Sequence, residues 1–244
     1  MGIAKIDNKG FTIIEVSMVL AIAGLLFFGI MLGITHQVQQ QRFKESVDAT
    51  QSFLQQQYNE AVNIINDRNI NSECGVDVNR GASGCPIIGR LITFYKQQSD
   101  EYVMEGKDII INDNSEIDTP GYSATLLDYL NDSDTNARVI DSGNNTSYFV
   151  PWGAKMTQPK DNDGSGDAVS YIALVRSPRG GELNIFKLDE NTIGSPLKFE
   201  AITKKVTSCI ESQELVGFKA AISIDGGVNS QDGVTTKFDE ATCS

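Results

Sequence analysis

At 244 residues and 40% hydrophobic content, the chain has room for one globular domain besides any anchoring segment. Its 32 acidic against 20 basic residues give a net charge of −12 and a pI near 4.5, which argues against binding nucleic acid through bulk charge. There is no G-x-S-x-G, no P-loop, no G-x-G-x-x-G and only one histidine, His36, so no enzyme class is indicated.

The first predicted element is also the most constrained. From Val16 to Thr35 the chain carries no charge. A helix of that length, at ~1.5 Å per residue, crosses the ~30 Å hydrocarbon core of a bilayer. A polar stretch, Met1 to Gly10, precedes it and holds Lys5 and Lys9. A secretory signal fits badly: the apolar run exceeds the usual ~7–15 residues and no A-x-A-like site follows it. A plain anchor fits better, with the two lysines keeping the N-terminus cytoplasmic. A plain anchor has no use, however, for Glu15 at the apolar edge. An intramembrane carboxylate costs roughly 2.5–3.5 kcal/mol at mid-helix, less near the interface, and so reads as functional.

Lys9-Gly10-Phe11-Thr12-Ile13-Ile14-Glu15 resembles the processing site of type IV prepilins and type II secretion pseudopilins. It combines a short basic leader, Gly before Phe, a nearby Glu and a long apolar helix. The resemblance covers the first ~35 residues. It implies cleavage between Gly10 and Phe11 by a prepilin peptidase and N-methylation of Phe11. It also implies that Glu15 pairs with the new terminal amine of a neighbouring subunit. Physically, both ions lose water on leaving the membrane interface, and each then needs an opposite charge. Many pilins carry a proline within this helix; here the first is Pro86, so bending is left to Gly24, Gly29 and Gly33, and Gly29-x-x-x-Gly33 permits close helix approach.

From His36 to about Asp67 there is no Pro or Gly, and Val38, Phe43, Val47, Leu54, Tyr58, Ala61, Val62 and Ile65 recur near helical spacing. One helix is therefore expected from Thr12 to about Asp67, apolar all round in its first half and amphipathic in its second. Asn69 to Gly84 reads as a loop. Strands are expected at Pro86–Tyr95, Tyr102–Ile111, Ser147–Trp152, Ala168–Arg176, Glu182–Leu188 and Phe218–Ile224, with a hairpin connection at Ser177–Gly181. Short helices are expected at Ser123–Leu130 and Leu197–Cys209. The class is α+β: a type IV pilin-like fold in which a long N-terminal helix packs on a mainly antiparallel sheet. The organisation is a leader (1–10), a transmembrane and assembly half-helix (11–35), an amphipathic half-helix (36–67) and an exported β-rich domain (68–244).

Four cysteines, all beyond the apolar run, favour disulfides in an exported domain and allow three pairings. Local closure favours Cys74–Cys85 and Cys209–Cys243, and the latter resembles the C-terminal disulfide loop of many type IV pilins. Free buried thiols are the alternative; zinc lacks both C-x-x-C spacing and histidines. Asp161, Asp163 and Asp167 alternate with Asn and Gly, a pattern suited to Ca²⁺. Some pseudopilins bind Ca²⁺ in such loops, but no EF-hand Glu follows, and a solvated turn is the plainer reading; otherwise no cofactor is expected. Arg176, Arg179, Lys187, Lys198, Lys204 and Lys205 are interleaved with acids and read as solvated surface.

The expected function is that of a filament subunit, not an enzyme. Its partners would be other pilin subunits, the prepilin peptidase, a membrane-embedded assembly platform and, before assembly, lipid. It would be a single-pass membrane protein with a cytoplasmic N-terminus, and extracellular after assembly. A pseudopilin of a secretion or competence system, and a minor tip pilin acting as an adhesin or DNA-binding module, are the alternatives.

Overall fold

The computed structural model describes residues 12–64, 86–97, 102–111, 126–132, 137–140, 145–162, 166–177, 181–188, 196–202, 204–213, 217–238 and 243. The first element is a helix, α1 (Ile13–Val62), of 50 residues. Its continuity follows from the absence of any internal proline and from a glycine-free second half. The chain divides into two compact units at Arg42/Phe43, within this helix. In the first unit the described side chains of residues 12–38 are exposed.

Among its described residues, the second unit contains the rest of α1 and twelve strands. In chain order these are β1 (Ile87–Lys96), β2 (Tyr102–Ile110), the short helix α2 (Leu126–Leu130), β3 (Arg138–Ile140), β4 (Thr146–Phe149), β5 (Ala154–Met156), β6 (Lys160–Asp161), β7 (Tyr171–Arg176), β8 (Leu183–Leu188), β9 (Phe199–Ala201), β10 (Lys205–Ser212), β11 (Lys219–Asp225) and β12 (Val234–Lys237). They form a larger sheet in the order β3-β2-β1-β7-β8-β9, with β4 also on β2, and a smaller one in the order β12-β11-β10-β5, with β6 also on β10. Neighbours are antiparallel throughout. The α+β class is therefore present: a long N-terminal apolar helix and an antiparallel β domain.

One face of the larger sheet joins α1 and the smaller sheet in a core that includes Phe43, Val47, Leu54, Ile92, Met104, Ile172 and Ile210. The other face is covered around α2, with Leu91, Ile109, Leu130, Val139, Val175 and Phe199 in a second cluster. Burial on both faces explains why β1 is buried continuously from Ile87 to Phe94 rather than alternately. A bulge at Ile87/Gly89 inserts Ile88 and puts it in the same cluster as Leu91.

The polar side chains of α1 that face the sheets are tied to them. Gln51 Nε2 donates to the Val234 carbonyl (3.1 Å) and its Oε1 accepts from Thr236 Oγ1 (3.2 Å). Buried Arg90 on β1 bonds Asp108 opposite it on β2 (2.6 Å), Glu60 (2.8 Å) and Gln57 Oε1 (3.0 Å from Nη2). This cluster sets the register of helix on sheet, since a buried guanidinium must meet its acceptors. Gly106 leaves room for it: a Cβ there would collide with Gln57 Oε1 and lie 2.9 Å from Arg90 Nη2, so a larger residue would have to displace the cluster's side chains. Arg176 Nη1 closes the helix by donating to the Val62 carbonyl (3.2 Å).

The strands expected at 86–95, 102–111, 168–176, 182–188 and 218–224 are present to within a few residues, and β7 and β8 pair across the expected hairpin. The expected helix at Leu197–Cys209 is instead β9 and the start of β10. There Val206, Ser208 and Ile210 are buried alternately, a period of two enforced by pairing with β11 on one side and β5 on the other. The strand expected at Ser147–Trp152 ends at Phe149, where a turn takes over. Strands β3, β5, β6 and β12 were not anticipated; each spans four residues or fewer.

Candidate functional site

The candidate site is the apolar half of α1 and its N-terminal carboxylate. Thr12 occupies the N-cap position. Its Oγ1 accepts from the Glu15 backbone N–H (3.3 Å), while Glu15 Oε2 accepts from the Thr12 backbone N–H and from Thr12 Oγ1 (both 3.1 Å). Thr-Ile-Ile-Glu is thus a capping box, in which two otherwise orphaned helix donors are satisfied reciprocally. The carboxylate also meets the positive end of the helix dipole. Among the described residues, both hydrogen bonds to the Glu15 side chain fall on Oε2.

Beyond this cap, Ile13 is 90%, Leu25 74% and Phe28 64% exposed, so nothing among the described residues buries the segment. The helix is long and apolar enough to span a membrane. The hydroxyls within it carry no unmet demand, since Ser17 Oγ donates to the Ile14 carbonyl and Thr35 Oγ1 to the Met31 carbonyl (both 2.9 Å). Glu15 is left as the only ionisable side chain from Thr12 to Thr35. A burial requirement and a single charge therefore coincide at one end of one helix.

The other sequence-derived candidates fall elsewhere. Gly10, Phe11, Cys74, Cys85 and Asp163 lie outside the described residues. Cys209 and Cys243 are disulfide-bonded, with Cα atoms 5.7 Å apart, and tie the C-terminal tail to β10. In the Asp161–Asp167 loop, the Asp161 N–H donates to the Asp167 carbonyl (2.9 Å). Buried Asp161 bonds Lys187 Nζ through its carboxylate (3.0 Å), and Lys187 also lies 3.8 Å from Glu200. Lys187 thus sets an ammonium beside Asp161, at the margin of a polar cleft of about 230 Å³ lined in part by Asp167, Ser170, Lys187 and Glu200. Among the described residues no group of three or more His, Cys, Asp or Glu is arranged to hold a metal ion.

The Arg90–Asp108–Glu60 cluster was missed. Its signal was legible: Arg90 and Asp108 interrupt apolar runs at positions that a strand turns inward. No protein-family model, curated protein or solved structure matches the chain.

Proposed function

We propose that the chain is a structural subunit of a type IV pilus-like filament, with a type IV pilin-like fold, polymerised through the apolar half of α1. The observation that carries this reading is Glu15, a capped carboxylate at the head of a helical segment, up to Thr35, that is otherwise uncharged and whose described side chains are exposed. In the membrane the segment is held by lipid. In a filament the same side chains pack against copies of themselves, and Glu15 neutralises the N-terminal amine of Phe11 on a neighbour. Its Oε1 takes no part in the Thr12 contacts and, on this reading, is the atom that receives the amine while Oε2 keeps the cap. A lone carboxylate or amine transferred to such a bundle would be strongly unfavourable; the pair satisfies both and fixes the axial stagger of the subunits.

On this reading the precursor is held with its N-terminus in the cytoplasm and its β domain outside, is cleaved by prepilin peptidase and is raised by a membrane-embedded platform. A pseudopilus of a secretion system uses the same segment in the same way. Mass spectrometry of purified filaments tests the reading: the chain should begin at N-methylated Phe11. Gly10→Val should accumulate a longer, unassembled membrane form. Met1-initiated chain in normal filaments would contradict it.

A further inference from the structure

We propose that the end of the β domain at which α1 enters is a lipid-docking surface, resting on the headgroup region of the bilayer that holds the apolar segment. Among the described residues outside the N-terminal apolar run and the adjoining Val38, five large hydrophobic side chains are exposed: Val62, Tyr95, Phe149, Trp152 and Phe238. Val62 is at the far end of α1; the four aromatics gather at the near end.

The contacts fix this placement. Strand β4 runs from Thr146, bonded to Gln57, to Tyr148, which stacks on Phe53 at 4.8 Å and bonds Thr50, and it ends at Phe149. The turn holding Trp152 follows. Register places Tyr95, Val103 and Phe149 side by side across β1, β2 and β4. On the other sheet, Gln231 bonds Asn59, Thr236 bonds Gln51, and Phe238 reaches Phe43 with ring centroids 6.4 Å apart. Strand β4 thus carries Phe149 past the level of Thr50, and the smaller sheet carries Phe238 to Phe43, so both sheets direct exposed aromatics toward the end where the second unit begins.

Chain connectivity supplies the occupant. Phe43 follows the uncharged run, which ends at Thr35, by less than ~30 Å of chain even if fully extended. Whenever the apolar segment is inserted, this end of the domain is within reach of the bilayer surface. Aromatic side chains concentrate at that depth because an apolar ring and a polar edge are both accommodated there. Lys96 and Lys237 adjoin Tyr95 and Phe238, and Lys219 lies nearby in an ion pair with Glu211 (2.8 Å). These cations suit anionic headgroups on a chain whose net charge is −12. Glu45 and Asp48 share this end, so the rings rather than net charge carry the contact.

Trp152 supplies an independent observation. It is the only non-glycine residue with positive φ among those described (62°), and Gly153 follows at 65° while the Ala154 N–H donates to the Pro151 carbonyl (3.4 Å). Such a turn favours Asn-Gly, yet it presents a half-exposed tryptophan.

The proposal rests on membrane insertion of the apolar segment but not on polymerisation. Trp152 is the sole tryptophan, so its fluorescence reports this surface alone. The full chain is reconstituted in phosphatidylcholine liposomes, with or without phosphatidylglycerol, using lipids brominated near the headgroup or deep in the acyl chain. Carbonate resistance establishes insertion. The expected result is blue-shifted emission, quenched by shallow more than by deep bromine, with greater quenching when phosphatidylglycerol is present. Phe149→Ser with Phe238→Ser should lose most of that quenching. Trp152→Asn in detergent should keep or raise the Tm; a lower Tm would make Trp152 a packing residue and overturn the proposal. Inserted chain with red, unquenched emission also overturns it. A blue shift that follows protein density and ignores bromine overturns it in favour of a second copy on this face. A chain that fails to insert overturns the anchor and the proposal together.

Discussion

Between Ile13 and Thr35, α1 is apolar all round and its described side chains stand exposed. Between Phe43 and Ala61 the same helix is polar on one side and buries Phe43, Val47, Phe53, Leu54, Tyr58 and Ala61 on the other. The backbone hydrogen-bonding pattern is common to both halves; what differs is the solvent each requires. The second half is satisfied within its own chain, by two sheets and by the polar contacts of Gln51, Gln57 and Glu60. The first half finds no such cover among the described residues and is long and apolar enough to span a membrane. The proposed function, a subunit that first sits in a membrane and later joins a bundle, would account for this division.

The comparison predicts where a change is felt. The largest expected effect on domain stability is at the buried ion cluster. Asp108→Ala removes the partner 2.6 Å from Arg90 and leaves a guanidinium that is 1% exposed. Because Glu60 remains, we expect a loss of about 3 kcal/mol, the lower end for an orphaned buried charge, in urea unfolding of the detergent-solubilised chain.

Next come two leucine truncations that set the halves of α1 against each other. Leu54 is 2% exposed and Leu26 64%. Leu54→Ala should cost about 2 kcal/mol in the same assay, the lower end for a buried leucine, and Leu26→Ala almost nothing. A comparable loss from Leu26→Ala would mean that the first half has a partner within the chain, and the distinction between the halves would fail.

The smallest effect concerns Tyr58, whose hydroxyl is buried without a hydrogen-bond partner. Burial, and secondarily the charge of Asp225, push its pKa well above the ordinary tyrosine value of 10.0. Burial also raises Tyr148, against its hydrogen bond with Thr50, which lowers it. Below pH ~10 both folded and unfolded chains keep these protons and no stability is lost. Above it the unfolded chain ionises first, so stability falls as pH rises. Tyr58→Phe should be neutral or slightly stabilising at pH 7 and should flatten the alkaline decline. An unchanged slope between pH 9 and 11 (roughly one unit either side of the ordinary tyrosine pKa) would show that Tyr58 is not responsible.

The helix was legible because its signal is local: an uninterrupted apolar run, then a stripe at helical spacing, with no Pro anywhere and no Gly beyond Gly33. The long strands were legible for the same reason, as dense runs of Ile, Val, Phe and Tyr. The stretch from Leu197 to Cys209 was misread because Phe199, Ile202 and Val206 have spacings that suit a helix as well as two short strands, and pairing with β8 and β11 decided the outcome. The order in which β1 lies between β2 and β7 is a long-range choice that no window of residues contains. At the candidate site, Thr-x-x-Glu was on the page as a capping box, but the sequence reading gave Glu15 only its intersubunit role.

The most direct measurement is filament yield beside membrane protein level for Glu15→Gln expressed as the main subunit. The amide keeps the shape of the side chain and can still accept from Thr12, so helix, insertion and cleavage after Gly10 should be preserved. Only the charge opposite a neighbour's amine is lost. Orphaning one ion of a buried pair costs ~3–5 kcal/mol, repeated at every subunit contact. The account predicts loss of filaments with normal membrane level and normal processing; wild-type filaments built from Glu15→Gln chain would contradict it.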